Sequence, residues 1–219
     1  MKSRQHPARA QRPPPRLYLF SERGADEVSQ VQALALAIEA ADVAAVLLRL
    51  PGLDDRTVTK SAKRMGSVVQ PRGIALLLEG HPELVARAEA DGAHIAVDSE
   101  LTAALKELKP DRIVGAGGLK TRHDAMVAAE AGADYVMFGE PDAAGQRPAF
   151  SVVIERVEWW SEVFEIPCVG FAAAFEEIAE LAQAGADFVA LDEVVWKDAR
   201  GPAATLAAAT EQLRAVELA

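Results

Sequence analysis

Apolar residues in this chain gather into eight short runs, at 17–20, 43–50, 74–78, 94–97, 112–115, 135–138, 168–171 and 188–191. Most are continuously apolar and do not alternate with polar residues, the signature of strands covered on both faces in a parallel sheet. Between them lie stretches rich in Ala, Glu and Leu with helical spacing, such as Val31, Leu34, Ala35 and Ile38, or Ile178, Leu181 and Ala182. Parallel strands require crossovers of this kind. One entry into a strand recurs: Ala-Glu-Ala-Gly-Ala-Asp-Tyr-Val at 129–136, Ala-Gln-Ala-Gly-Ala-Asp-Phe-Val at 182–189 and, more loosely, Ala-Asp-Gly-Ala-His-Ile at 90–95. Gly92, Gly132 and Gly185 are expected to cap helices in the left-handed conformation and turn the chain into the next strand. The repeats are too unevenly spaced for a solenoid. Eight strand and helix units predict a single-domain α/β fold, a (β/α)8 TIM barrel over 16–219. A doubly wound open sheet is the alternative, weakened because no Gly-x-Gly-x-x-Gly follows the first strand.

Ahead of the barrel, residues 1–15 carry Lys2, Arg4, Arg9 and Arg12 with no acid, and also Pro7, Pro13, Pro14 and Pro15. They are expected to form a disordered basic, proline-rich arm, since no apolar signal-peptide core follows them. The whole chain has 33 acidic and 23 basic side chains in 219 residues, a formal charge of -10. So acidic a chain does not suit phosphate backbones, which argues against nucleic acid as its partner. No apolar stretch reaches the roughly 18 residues needed to span a bilayer, so no membrane partner is expected. With Cys168 as the sole cysteine, no internal disulfide or thiolate cluster can form, and the cytoplasm is the default location.

A barrel places function where strands end. The residues there are Glu22, Arg23, Arg49, Glu79, Asp98, Glu100, the segment 115–120, Glu140, Asp142, the segment 172–174, Asp192 and Glu193. Acids dominate, and an anionic mouth favours a divalent cation or a cationic small molecule. The competing reading makes several of them helix caps facing water, Asp142, Glu193 and Glu100 above all. Arg49 needs a carboxylate or phosphate to justify its burial, with Glu79 or Glu22 as internal partners. Gly115-Ala-Gly-Gly-Leu-Lys120 offers amides of Gly117 and Gly118, with Lys120, to an anion, although a tight turn explains the same residues. His94 lies in the fourth strand as a base or ligand, and no histidine pair has metal-ligand spacing. Cys168 reads as a packed core thiol. Trp159 and Trp160 adjoin on the sixth long helix, so one indole faces inward and its neighbour partly outward. That pattern suits a homodimer surface or core packing alone.

Several segments resemble the thiamine phosphate synthase and thiazole tautomerase family. They are Leu-Tyr-Leu-Phe at 17–20, the segment 90–97, Ala-Gly-Ala-Asp-Tyr-Val-Met-Phe-Gly at 131–139, and Ile-Pro-Cys-Val at 166–169 followed by Ala-Gly-Ala-Asp at 184–187. The resemblance implies a (β/α)8 barrel that joins a pyrimidine pyrophosphate to a thiazole phosphate in thiamine biosynthesis, using Mg²⁺. The segments that carry chemistry depart from the family. Of its Gln-x-Arg-x-Lys only Arg49 carries over, and its Asn-Asp becomes Glu79-Gly80. His94 is kept with a shifted acid, Asp98, while Ser and His of the fifth strand are missing from 115–120. The Thr-x-Thr-Lys loop after the sixth strand is absent, the Gly-Gly-Ile phosphate cradle reads Ala172-Ala-Ala174, and Asp192-Glu193 replaces a phosphate-binding serine.

Strand-end position and the resemblance together lead to the expectation of catalytic roles for His94 and Lys120, substrate binding by Arg49, Gly117, Gly118, Glu140 and Asp192, and a metal on Glu79 and Asp98. Two readings follow. One is a divergent synthase acting on a small-molecule ligand at the strand-end mouth. The other is a non-catalytic or regulatory barrel binding an unphosphorylated cationic heterocycle such as thiamine. Methyl groups on the former glycine cradle block close backbone approach and nearby carboxylates repel phosphate, so phosphate capture by that cradle is expected to be poor.

Overall fold

A computed structural model describes residues 13–22, 27–96, 100–142 and 144–217, without the side chains of Glu27, Val28 and Glu217. Residues 1–12 of the expected arm, and Asp98, lie outside the described residues. The strands are β1 (Arg16–Phe20), β2 (Val43–Leu48), β3 (Ala75–Glu79), β4 (Gly92–Ala96), β5 (Ile113–Gly117), β6 (Tyr135–Phe138), β7 (Cys168–Ala172) and β8 (Phe188–Leu191). The helices are α1 (Glu27–Glu39), α2 (Asp55–Val69), α3 (Val85–Ala88), α4 (Glu100–Leu108), α5 (Arg122–Ala131), α6 (Phe150–Val163), α7 (Glu177–Gln183), α8 (Glu193–Trp196) and α9 (Pro202–Glu217). The strands pair in parallel in chain order, and β1 meets β8 to close the ring. The expected (β/α)8 barrel is therefore present, and the open sheet is not.

Alternation along each strand divides the core in two. Leu17, Leu19, Val46, Leu76, Leu78, Val136 and Val189 point outward and pack under the helices with Leu34, Met65, Val157 and Leu206. Tyr18, Phe20, Ala45, Leu47, Leu77, Tyr135, Met137, Val169, Phe171 and Ala190 fill the inside of the ring. Continuous apolar runs thus serve two cores, one on each face of the sheet. The same parity, carried past the last strand residue, sets which side chains enter the mouth: 45, 47, then Arg49; 188, 190, then Asp192.

The repeated strand entry has a second physical cause besides its glycine. Asp91 accepts from the Leu76 amide at 2.7 Å, Asp134 from the Val114 amide at 2.7 Å, and Asp187 from the Cys168 amide at 2.8 Å. Each aspartate thus ties the start of one strand to its predecessor, at the end of the barrel associated with stability. Gly132 and Gly185 adopt the expected positive φ, 106° and 94°. Gly92 does not cap a helix. It lies inside β4, and the left-handed turn before it is made by Glu89, φ 58°. A Cβ on Gly92 would come within 2.0 Å of the Ile113 carbonyl oxygen, so this glycine lets β4 approach β5.

Gly92→Ala is expected to destabilise the barrel by at least about 2 kcal/mol, because the obstacle is strand backbone and not a movable side chain. Urea unfolding of both proteins measures it, and an unchanged midpoint would show that β4 and β5 separate freely.

Candidate functional site

Four side chains form one hydrogen-bonded chain that runs from the inside of the ring to the loop that follows β6. Tyr18 on β1 meets the Tyr135 hydroxyl at 2.8 Å, Tyr135 on β6 meets His94 Nδ1 at 2.9 Å, and His94 Nε2 on β4 meets Glu140 Oε2 at 3.1 Å. The His94 ring also stacks on Tyr135, with centroids 5.7 Å apart and planes at 17°. Glu140 Oε1 accepts from the Gly118 amide. Two glycines of β5 make the room: a Cβ on Gly115 would strike the Tyr135 ring, and one on Gly117 would come within 2.2 Å of both His94 Nε2 and Glu140 Oε1.

Burial alone would raise the Glu140 carboxyl. Attraction to and hydrogen bonding from His94, the Gly118 amide and the charge of Arg49 outweigh it, leaving Glu140 below the ordinary carboxylate value and ionised. An ionised carboxylate only accepts, so His94 carries hydrogen on Nε2. Burial raises both phenols, keeping Tyr18 and Tyr135 protonated. The Tyr135 hydroxyl thus lies between the Tyr18 hydroxyl and His94 Nδ1.

Beside this chain lies a guanidinium. The Arg49 side chain is 2% exposed, and its Nη2 stands 2.5 Å from Asp192 Oδ1, in a side chain 9% exposed. Arg49 also covers the Phe20 ring at 4.4 Å, and its amide donates to Ser21 Oγ at 3.0 Å. The ion pair lacks hydrogen-bond alignment, so Nε and Nη2 are buried without a hydrogen-bond acceptor among the described residues. The predicted partners Glu79 and Glu22 are thereby corrected to Asp192. β1 separates β2 from β8, and ring closure brings the two side chains together across it. A third couple, Arg147 with Glu177, also lies at this end.

Several sequence expectations change accordingly. Gly117 and Gly118 serve Glu140: one clears space for it and the other gives it an amide. Lys120 is exposed on the loop before α5, its amide bonded to Asp124 and its carbonyl to Arg156. It is not brought into the His94 cluster. Asp142 accepts from the amides of Ala144 and Gln146 within its own loop and caps no helix, so the capping reading does not hold for it, whereas Glu193 lies in the first turn of α8 and pairs with Lys197 just past that helix. Glu79 ends β3 with an exposed side chain. Because Glu140, Asp192 and Glu177 each face a basic group, the mouth is less anionic than its acid count suggests. Cys168 is buried in the core. Trp160 is fully buried, whereas Trp159 is half-buried beneath Arg122. Tyr18, Tyr135, Arg147 and Glu177 were not singled out from sequence. The two tyrosines share the inward parity of their strands, which was the signal available.

Fold and site together define a (β/α)8 barrel with buried polar couples where its strands end, the region used for small molecules in this architecture. A family model described as thiamine monophosphate synthase matches residues 17–195. The chain belongs to that family. It is 39% identical over 195 residues to a thiamine-phosphate synthase of Rhodospirillum centenum, covering 88% of this chain and 94% of that one. A thiamine-phosphate synthase of Hyphomonas neptunium is 36% identical over 208 residues, covering 90% and 93%. Among solved structures, thiamine phosphate pyrophosphorylase from Pyrococcus furiosus superposes with a TM-score of 0.73 at 20% identity, covering 92% and 94%. At that identity the match establishes the fold.

The depressed Glu140 value sets a pH dependence. A carboxyl lowered by folding stabilises the protein above its unfolded value, near 4.5, and that stabilisation fades as pH falls toward the folded value. Glu140→Gln is therefore expected to melt below the wild type at neutral pH, with the gap closing on acidification below about 4.5. Melting temperatures across this range decide it, and a gap that stays constant with pH would contradict the ionised pair.

Proposed function

We propose that this chain is a thiamine phosphate synthase-like enzyme, joining a pyrimidine pyrophosphate to a thiazole phosphate in thiamine biosynthesis. The observation that carries the reading is the buried Arg49 guanidinium, whose Nε and Nη2 find no hydrogen-bond acceptor among the described residues, in a chain matched by the family over 17–195. Phosphate oxygens are suited to such donors, and loss of pyrophosphate concentrates negative charge on the oxygens a guanidinium would hold. Arg49 binds and orients the pyrophosphate. His94, fixed by Glu140 and Tyr135, holds a proton at Nε2 toward Glu140, with its Nδ1 hydrogen-bonded to the Tyr135 hydroxyl. Lys120 contributes an exposed positive charge on the loop after β5.

Mg²⁺ belongs to this reading as an ion shared with the substrate. It prefers six oxygens and usually sits on one or two carboxylates together with phosphates and water. Among the described residues no three His, Cys, Asp or Glu side chains are grouped to hold a metal. Glu79 from β3, together with Asp98, would supply protein oxygens to an ion carried by pyrophosphate. When bound, it neutralises charge on the leaving group.

A cytoplasmic location and a homodimer complete the proposal. Among the described residues no helix is long and apolar enough to cross a membrane. The face of α6 that carries half-buried Trp159 and exposed Val163 is the surface for self-association. The non-catalytic reading is not favoured, since Asp192 and Glu140 already face Arg49 and His94 and the relatives described above are named as synthases.

Purified protein given both substrates and Mg²⁺ is expected to form thiamine phosphate, and Arg49→Gln to lose about 10- to 100-fold in kcat/KM, the scale of charge-assisted hydrogen bonds. No product above a control without protein would remove the assignment.

A further inference from the structure

Helix α6 reaches both ends of the contact that holds Glu140. A Cβ on Gly139, the residue before Glu140, would come within 2.8 Å of Val153 Cγ1, so α6 lies directly against that turn. Three residues further along α6, Arg156 donates from Nη1 to the Leu119 carbonyl at 3.2 Å and from Nη2 to the Lys120 carbonyl at 2.6 Å. Positions three apart share a helix face. Among the described residues no carboxylate takes a hydrogen bond from Arg156, so its guanidinium is given over to loop backbone. From the other side Asp124 of α5 accepts from the amides of Lys120 and Thr121 at 3.0 and 2.8 Å. The loop after β5 is thus held by its carbonyls and by its amides, and the Gly118 amide it presents donates to Glu140.

We propose that Arg156 is a positioning residue, which fixes the glycine-rich loop so that Gly118 orients Glu140 and, through it, His94. Its effect on catalysis rests on the synthase reading above; its effect on the Gly118 hydrogen bond does not. The loop needs such a brace. Gly117 and Gly118 have no side chains to pack, and Gly118 takes φ 66°, so the backbone there is free to move unless its neighbours are tied. Leu119 buries its side chain, but apolar packing does not set the direction of a peptide group, whereas a hydrogen bond does. A planar guanidinium presents its donors as a rigid fork and takes two successive carbonyls at once, which the point charge of a lysine cannot do with the same geometry. The Glu140 carboxylate is shared between the Gly118 amide and His94 Nε2. A loop that turned away would leave that carboxylate held on one side alone, and the imidazole would lose a partner of fixed direction.

The test is amide hydrogen exchange on the full chain, followed by nuclear magnetic resonance, in the wild type, Arg156→Gln and Arg156→Lys. Exchange at Gly118 is expected to be about tenfold faster in Arg156→Gln, the scale of one charge-assisted hydrogen bond, with Arg156→Lys between. The amides of Leu76, Val114 and Cys168, bonded to aspartates at the opposite end of the barrel, should keep their rates. The imidazole nitrogens of His94 should show a smaller share of the Nε2–H form in Arg156→Gln. An unchanged Gly118 rate, equal acceleration at the three strand amides, or an unaltered His94 share overturns the proposal. Activity supplies a second arm. In Arg156→Gln kcat should fall about tenfold while KM for the pyrimidine pyrophosphate stays near the wild-type value, because Arg49 is untouched. A raised KM with kcat unchanged also overturns it. Absence of thiamine phosphate from the wild-type reaction rejects the synthase reading, and the exchange result then decides for Arg156 by itself.

Discussion

The Arg49–Asp192 ion pair is the interaction on which the mouth depends. Putting a guanidinium where only 2% of it reaches solvent is costly unless an opposite charge is held beside it. Asp192 stands there because β1 joins β2 on one side and β8 on the other, which brings the first residue after β8 to the first residue after β2. Phe20, from the intervening strand, provides the aromatic surface under the guanidinium. Trp196 on α8 donates to the Phe20 carbonyl at 2.9 Å and anchors the end of that strand. An open sheet would not bring β1 against β8, and the pair would be lost with it.

Around that pair the chain uses its own acids where an anion would otherwise rest. Glu140 occupies the Gly118 amide and Glu177 the Ala173 amide, while Asp124 takes the amides of Lys120 and Thr121. These contacts explain how a protein with a formal charge of -10 keeps guanidinium groups at its mouth without a strongly anionic rim. Charge counted along the sequence is a guide to long-range fields; the pairing of neighbours decides what a ligand meets at close range.

The barrel was legible in the sequence because continuous apolar strands separated by helical segments leave few architectures. Position just after an apolar run made Arg49 and Asp192 legible as mouth residues, and His94 was legible as a polar residue within the fourth strand. Their partners were not. Arg49 was expected to meet Glu79 or Glu22, since separation along the chain says nothing about which strands flank the closing seam. Glu140 follows Gly139, whose φ of 92° turns the chain, so its direction could not be extrapolated from β6. Arg147 and Glu177 belong to a loop and a helix start, where no two-residue period applies. The aspartates of the repeated motif were visible as a pattern, but their bonds to preceding strands required the register of the ring. Gly92 was misassigned because the helix-end turn falls three residues earlier, on Glu89.

The most direct test of this account is a crystal soaked with inorganic pyrophosphate. Density is expected at the C-terminal mouth of the strands, with a phosphate oxygen within about 3 Å of Arg49 Nε or Nη2 and Asp192 still beside the guanidinium. A pyrophosphate bound elsewhere while Arg49 remains sealed against Asp192, or a mouth that stays empty at saturating pyrophosphate, would contradict it.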